Sequence, residues 1–200
     1  MEYHLEIKNK YFNVRKTLLE MLIDRKYNVD KSLFISFNEF SLIYETFNFD
    51  FNVVSKDNSH TMYITFFTDI KNFTKKDFYN TINKIDRNDG DKIIIILREK
   101  CNQTIIKELN LAKNKNIEIF TINILQFNIT KHELIPKMEL LNDQEKKELL
   151  IKYKCTVNQL PKIFKTDPIT KYFGAKTGDI FKIYRNSKSV GEKIGYRYVK

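Results

Sequence analysis

The residues able to carry chemistry in this 200-residue chain are few and scattered. Cys101 and Cys155 are its two cysteines. Neither has a second Cys or a His at the short spacing of a zinc site, so neither a metal cluster nor a disulfide framework is legible. His4, His60 and His132 stand far apart, and a lone histidine is far more often a hydrogen-bonded structural residue than a ligand. Phosphate chemistry would need clustered glycines between a strand and a helix. In the nearest pairs among the five glycines, Gly174 with Gly178 and Gly191 with Gly195, the second glycine is not followed by Lys-Ser/Thr, so no P-loop is written. No Gly-x-Ser-x-Gly elbow or His-Glu-x-x-His stretch occurs, and neither cysteine has an activating neighbour in sequence. The sharper enzyme reading is a metal-dependent nuclease, which would set carboxylates and a lysine on adjacent strands to hold Mg²⁺. Its candidates do not converge. Glu99 and Lys100 are consecutive and would point to opposite faces of a strand, and Glu118 has Phe120 where a partnering lysine is wanted. The expectation is a chain without catalytic residues, metal, cofactor or small-molecule substrate.

The elements that must position any binding residues follow from periodicity. Tyr11, Val14, Leu18 and Met21/Leu22 recur on one helical face, with Arg15, Lys16, Glu20 and Asp24 mostly on the other, which predicts an amphipathic helix over 11–23. A second helical stretch is expected over 33–46, then a hairpin of strands 47–54 and 61–67 around the polar 55–60. Thr74 with Asp77 opens a helix to about Ile85, stopped by Asn88, Asp89 and Gly90. Strand Lys92 to Leu97, helix Gln103 to Lys113 and strand Ile117 to Ile122 spell a parallel βαβ unit. Further on, Asn142 with Glu145 caps a helix over 143–154 whose stripe is Leu149, Leu150 and Tyr153. Thr166 or Asp167 caps a brief helix that opens at Pro168 and stops at Gly174. Segments 179–185 and 194–199 alternate with the strand period around the turn-rich 186–191. The fold class is α+β in two domains: residues 1–126, an α/β domain of helices on a small sheet, and residues 127–200, an α+β module with a small mixed sheet.

Composition narrows the function classes. With 42% hydrophobic and 30% charged residues, the chain has matter for a core and is not intrinsically disordered. The longest apolar run, Ile93 to Leu97, falls far short of the roughly 18 residues of a membrane-spanning helix. Charge begins at Glu2, so a soluble, intracellular chain with no membrane partner is expected. The net charge of +10 is unevenly held: residues 126–200 carry 16 Lys/Arg against 8 Asp/Glu, residues 1–125 carry 19 against 17. Such a basic third attracts nucleic acid or an acidic protein surface, the plainer alternative being a lysine-rich solvated face.

Within that basic third lie His132-Glu133-Leu134-Ile135-Pro136-Lys137, Leu149-Leu150, Tyr153, Gln159-Leu160-Pro161-Lys162-Ile163, Asp167-Pro168, Lys171-Tyr172-Phe173-Gly174, Gly178, Ile183, Arg185, Ser187, Gly191 and Tyr196-Arg197. In order and spacing this series resembles the C-terminal assembly domain of subunit 5 of eukaryotic-type DNA-dependent RNA polymerases, a domain with a similar small counterpart in the archaeal polymerase. The front is similar too: Val14-Arg15-Lys16-Thr17, Leu22, Asp24-Arg25 and Tyr27 resemble the opening helix of that subunit's N-terminal jaw domain. Residues 28–90 depart from the family in most positions, and Met138 stands where the family often has a His.

The resemblance implies a non-catalytic polymerase subunit, with residues 1–126 as jaw domain and 127–200 as assembly domain. The assembly domain would dock on the largest subunit through a surface including His132, Pro136, Asp167, Pro168, Tyr172, Gly174, Arg185 and Arg197. The jaw would lie near downstream duplex DNA, with Arg98, Lys100 and Asn102 closest to phosphates. The other polymerase subunits are further expected partners. The nucleus is the expected location for a cellular enzyme, a cytoplasmic factory or virion for a viral one. A stand-alone basic nucleic-acid-binding protein and the nuclease are the competing readings.

Overall fold

The computed structural model describes residues 2–67, 73–111, 116–187 and 191–200. The chain divides into two compact units, Met1–Phe127 and Asn128–Lys200. Among the described residues no helix is long and apolar enough to cross a membrane.

The first unit opens with helix α1, Glu2–Asp24, which begins more than two turns before the apolar period does. Residues 2–10 hold no Gly or Pro to stop it. Strand β1, Tyr27–Asn28, follows. The helix expected over 33–46 is instead three short pieces: a 3-10 turn Lys31–Leu33, helix α2 at Phe37–Ile43, and a 3-10 turn Tyr44–Thr46. Ser36 sets the break, because its side chain accepts from Glu39 N–H while the Glu39 carboxylate accepts from Ser36 N–H, and this reciprocal cap forces the helix to begin at Phe37. The expected first hairpin strand also starts late. Strand β2 is Phe51–Ser55, since Phe47 and Phe49 turn into an aromatic cluster with Phe40, at ring separations of 5.4 and 5.9 Å. Strand β3, Thr61–Phe67, completes the hairpin.

Helix α3, Lys75–Lys84, carries the Thr74/Asp77 capping box. Strand β4 is Lys92–Leu97 and strand β5 is Ile117–Thr121. Helix α4 between them, Gln103–Leu109, ends before the expected Lys113, and positions 112–115 lie outside the described residues. The sheet order is β1-β2-β3-β4-β5, antiparallel through β3 and parallel from β3 to β5. Ile93, Ile95 and Leu97 cluster with Phe78 and Ile82 of α3 and Ile105 of α4. Ile94 and Ile96 face the other way, beside Glu118 and Phe120. There Arg25, just past α1, holds Glu118 through two hydrogen bonds of 2.9 Å and lies 5.9 Å from the Phe120 ring centre. α1 therefore covers that face, and β4, enclosed on both sides, needs its unbroken apolar run.

The second unit contains β6 (Lys137–Leu140), α5 (Asp143–Tyr153), β7 (Lys162–Ile163), α6 (Pro168–Phe173), β8 (Ile180–Ser187) and β9 (Gly191–Val199). The sheet order is β6-β8-β9-β7, with β7 parallel to β9 and the other pairings antiparallel. Each face carries its own cluster. Phe181, Ile183 and Val199 pack with Ile163, Ile169 and Ala175 on one side, and Ile180 and Tyr198 pack with Leu149 of α5 on the other. Asn142 caps α5 reciprocally with Glu145. Lys146 anchors α5 by an ion pair of 2.7 Å to Asp179. The expected stripe of α5 is narrower in the fold: Leu149 is buried, whereas Tyr153, the last residue before left-handed Lys154, is 55% exposed beside the Tyr196 ring. Strand β8 runs to Ser187, beyond the expected 185, and positions 188–190 of the expected turn lie outside the described residues.

Candidate functional site

The N-terminal candidates sit where β4 gives way to α4. Arg98 and Lys100 are exposed just past Leu97. They lie at the carboxyl end of the middle strand of the parallel set, the end at which open α/β sheets receive ligands. Asn102 is the N-cap of α4, its Oδ1 accepting from Ile105 N–H at 3.2 Å. Its side chain therefore holds the helix, and the exposed cations of this loop are Arg98 and Lys100, with Glu99 exposed between them.

The C-terminal candidates gather on one face of the second sheet. Asp167 is the N-cap of α6, accepting from Ile169 N–H at 2.9 Å, Pro168 fills the first helical position, and Gly174 ends the helix at φ 62°. Tyr172 is 4% exposed, so it packs inside the unit. Ile169 of this helix, with Ile129 and Ile135 of the segment carrying His132 and Pro136, packs on the cluster of Phe181 and Ile183. Arg185 follows those two residues with the strand period, and Arg197 pairs directly with Phe181, so both arginines share that face. Arg185 and His132 are exposed and Arg197 is half-buried. His132 is itself tied down, its Nδ1 accepting from Leu134 N–H at 3.2 Å.

On the opposite face of the sheet Lys137 and Lys182 already have partners within the unit. Glu139 accepts from Lys137 at 2.9 Å and from the Tyr184 hydroxyl at 2.9 Å, and these two bonds hold its carboxyl below the usual carboxylate range. Lys137 and Lys182 also lie over the Tyr184 ring, at 5.2 and 4.9 Å.

Of the carboxylates raised by the nuclease reading, Glu99 is exposed, while Glu118 has a structural duty, as have two further acids of the same unit. Glu118 is gripped by Arg25. A groove of about 680 Å³ beside β2, β3 and α3 contains Asp50 and Asp77. Asp77 caps α3, and Asp50 accepts from the Thr65 hydroxyl and Phe66 N–H. Among the described residues no group of three or more His, Cys, Asp or Glu side chains is arranged to hold a metal, and neither cysteine is in a disulfide. One assignment to the polar face of α1 is corrected: Arg15 is 6% exposed, enclosed between the rings of Phe47 and Phe51, which helical spacing alone could not reveal.

Comparison with known proteins bears on both units. Residues 127–199 match the family model for "RNA polymerase Rpb5, C-terminal domain". The "DNA-directed RNA polymerases I, II, and III subunit rpabc1" of Dictyostelium discoideum is 31% identical over 196 residues, covering 94% of this chain and 96% of the relative. The chain belongs to the Rpb5 family. Two further Rpb5-family relatives are the "DNA-directed RNA polymerases IV and V subunit 5B" of Arabidopsis thaliana, 31% identical over 96% of this chain and 90% of the relative, and the "DNA-directed RNA polymerases I, II, and III subunit RPABC1" of Caenorhabditis elegans, 28% identical with 95% of each covered. Rpb5-family proteins are accessory, non-catalytic subunits. The absence of a convergent catalytic constellation from the sequence has that explanation.

Proposed function

We propose that this chain is a structural subunit of a multisubunit DNA-directed RNA polymerase, docking on the largest subunit through its C-terminal unit and lying near downstream DNA through its N-terminal unit. The similarity to polymerase subunits over 94% of the chain carries the reading, since it includes both units. The face bearing α6, Arg185 and Arg197 is the docking surface. Its arginines offer planar forks that match carboxylates, whereas the cations of the opposite face already have Glu139 and Tyr184. Asp167, Pro168, Tyr172 and Gly174 act by holding α6 in shape, and His132 and Pro136 border the same surface. Arg98 and Lys100 contact phosphates without reading bases. The eukaryotic organisms of the relatives support a nuclear site of action.

Two double variants in a reconstituted polymerase test the two halves. Arg185→Glu with Arg197→Glu should weaken binding to the largest subunit by about tenfold or more without lowering the melting temperature of the free chain. Arg98→Ala with Lys100→Ala should leave assembly and nucleotide addition intact and make the salt dependence of elongation-complex stability shallower by about one to two units. Unchanged binding in the first case moves the docking face elsewhere, and an unchanged slope in the second moves the DNA contact. Tight, salt-steep binding of the free chain to duplex DNA without affinity for polymerase subunits would favour the stand-alone DNA binder.

A further inference from the structure

Arg15 of α1 is buried without a counter-ion among the described residues. Its Nη2 donates to the Leu33 carbonyl at 3.1 Å, and its guanidinium lies 4.8 Å from the Phe47 ring centre and 5.2 Å from that of Phe51. Nε has no hydrogen-bond partner among the described residues. Burial lowers its pKa from the ordinary arginine value, and no acidic neighbour raises it. A buried cation lacking a carboxylate is a costly arrangement that an incoming anion would relieve.

The cation has an opening beside it. Arg15 lines a cavity of about 210 Å³ with Phe12, Lys16, Leu19, Leu33, Phe34 and Ile35. Phe12, Arg15, Lys16 and Leu19 share one face of α1 by their spacing, and the segment leaving the first 3-10 turn forms the facing wall. Lys16 is exposed at the rim as a second cation, and Phe34 is 42% exposed. The volume is below the roughly 300–1,000 Å³ of a small-molecule pocket, and suits a side chain.

We propose that this cavity binds an acidic protein segment, one Asp or Glu carboxylate reaching Arg15 while an adjoining apolar side chain lies on Phe12, Leu19 and Phe34. The guanidinium fork is matched by a carboxylate, and cations with no acid in the lining select a negative ligand. A nucleic-acid phosphate fits less well. It arrives flanked by hydrated sugars, which would leave the apolar walls unsatisfied, since nucleic-acid interfaces are polar and wet. This site is separate from Arg98 and Lys100 and from the docking face of the second unit.

The test uses the full chain and two synthetic peptides, Ac-Leu-Asp-Phe-NH2 and its Asn counterpart, followed by ¹H–¹⁵N NMR. The Asp peptide should shift the Arg15 Nε–Hε resonance and the amides of Phe12, Leu19 and Phe34. The Asn peptide should bind about tenfold more weakly or worse, the factor that a single charge-assisted bond supplies. Arg15→Met, checked for folding by its thermal melt, should abolish the preference for Asp. Equal binding of the two peptides by the native chain would overturn the proposal whatever the variant does. Inorganic phosphate moving the Arg15 resonance as far at equal ionic strength would also overturn it, in favour of a phosphate site. So would a folded Arg15→Met chain that still prefers the Asp peptide.

Discussion

Gly174 shows how much of this protein is decided by single backbone positions. It closes α6 at φ 62° and ψ 30°, donating its N–H to the Lys171 and Thr170 carbonyls. Gly174→Val should destabilise the chain by roughly 1–2 kcal/mol or more, because a Cβ in left-handed backbone clashes and branching worsens it. Gly174→Asn should cost clearly less, as Asn tolerates that region. Urea denaturation of the two variants checks this, equal losses pointing away from backbone conformation as the cause. Tyr27 makes a pH-dependent contribution. Burial pushes its phenol up to about 12, with Arg25 lowering it and Glu118 and Asp57 raising it. The hydroxyl lies 2.8 Å from His60 Nε2. Since the folded pKa exceeds the ordinary tyrosine value of about 10, its contribution is whole below pH ~10 and is lost as pH rises through ~12. Tyr27→Phe should therefore lose less stability than the parent between about pH 9 and about pH 11, measured by denaturant titration at each pH. Caps such as Thr74/Asp77, Asn142/Glu145 and Asp167/Pro168 were legible because each is closed within a few residues of sequence. Arg25 with Glu118 was not, since its partners are separated by 93 residues and meet only across the folded sheet.

That pair acts at the scale of elements, fastening the end of α1 to β5. The Arg25 side chain is 5% exposed and that of Glu118 is 30% exposed. Glu118→Gln keeps the shape and removes the charge, and should cost about 1–3 kcal/mol, toward the lower end because Glu118 is partly solvated. Replacing both, Arg25→Met with Glu118→Leu, should recover part of the loss, since the single change takes the Glu118 charge away from a buried cation. Thermal melts of single and double variants measure the coupling, and strictly additive losses would show that the pair is not one unit. Strands and helices with their own period were readable, among them the βαβ unit from β4 to β5 and the alternating β8 and β9. The region 33–50 was not. Its apolar residues suggest a helix and then a strand, whereas the fold uses Phe40, Phe47 and Phe49 as one aromatic cluster, and tertiary packing overrides local propensity there.

For the whole molecule, two features inform each other. The basic excess of residues 126–200 lies in the unit that matches the Rpb5 C-terminal domain. Within that unit Lys137 and Lys182 lie on the face of Glu139 and Tyr184, and Arg185 is exposed on the other. A bare count of charge pointed to nucleic acid first or to acidic protein, or to no more than a solvated lysine-rich face. The series of short motifs from His132 to Arg197 adds a particular shape to that sign, and it lies within the residues that match the family model. The measurement that reaches the central claim most directly is native affinity purification of the tagged chain from its own cells, with quantitative mass spectrometry of what comes with it. Equimolar recovery of the two large subunits of one DNA-directed RNA polymerase, stable in salt high enough to strip nucleic-acid contacts, is the predicted result. Recovery of the chain without any large polymerase subunit, or with a polymerase only through nuclease-sensitive nucleic acid, would contradict the account.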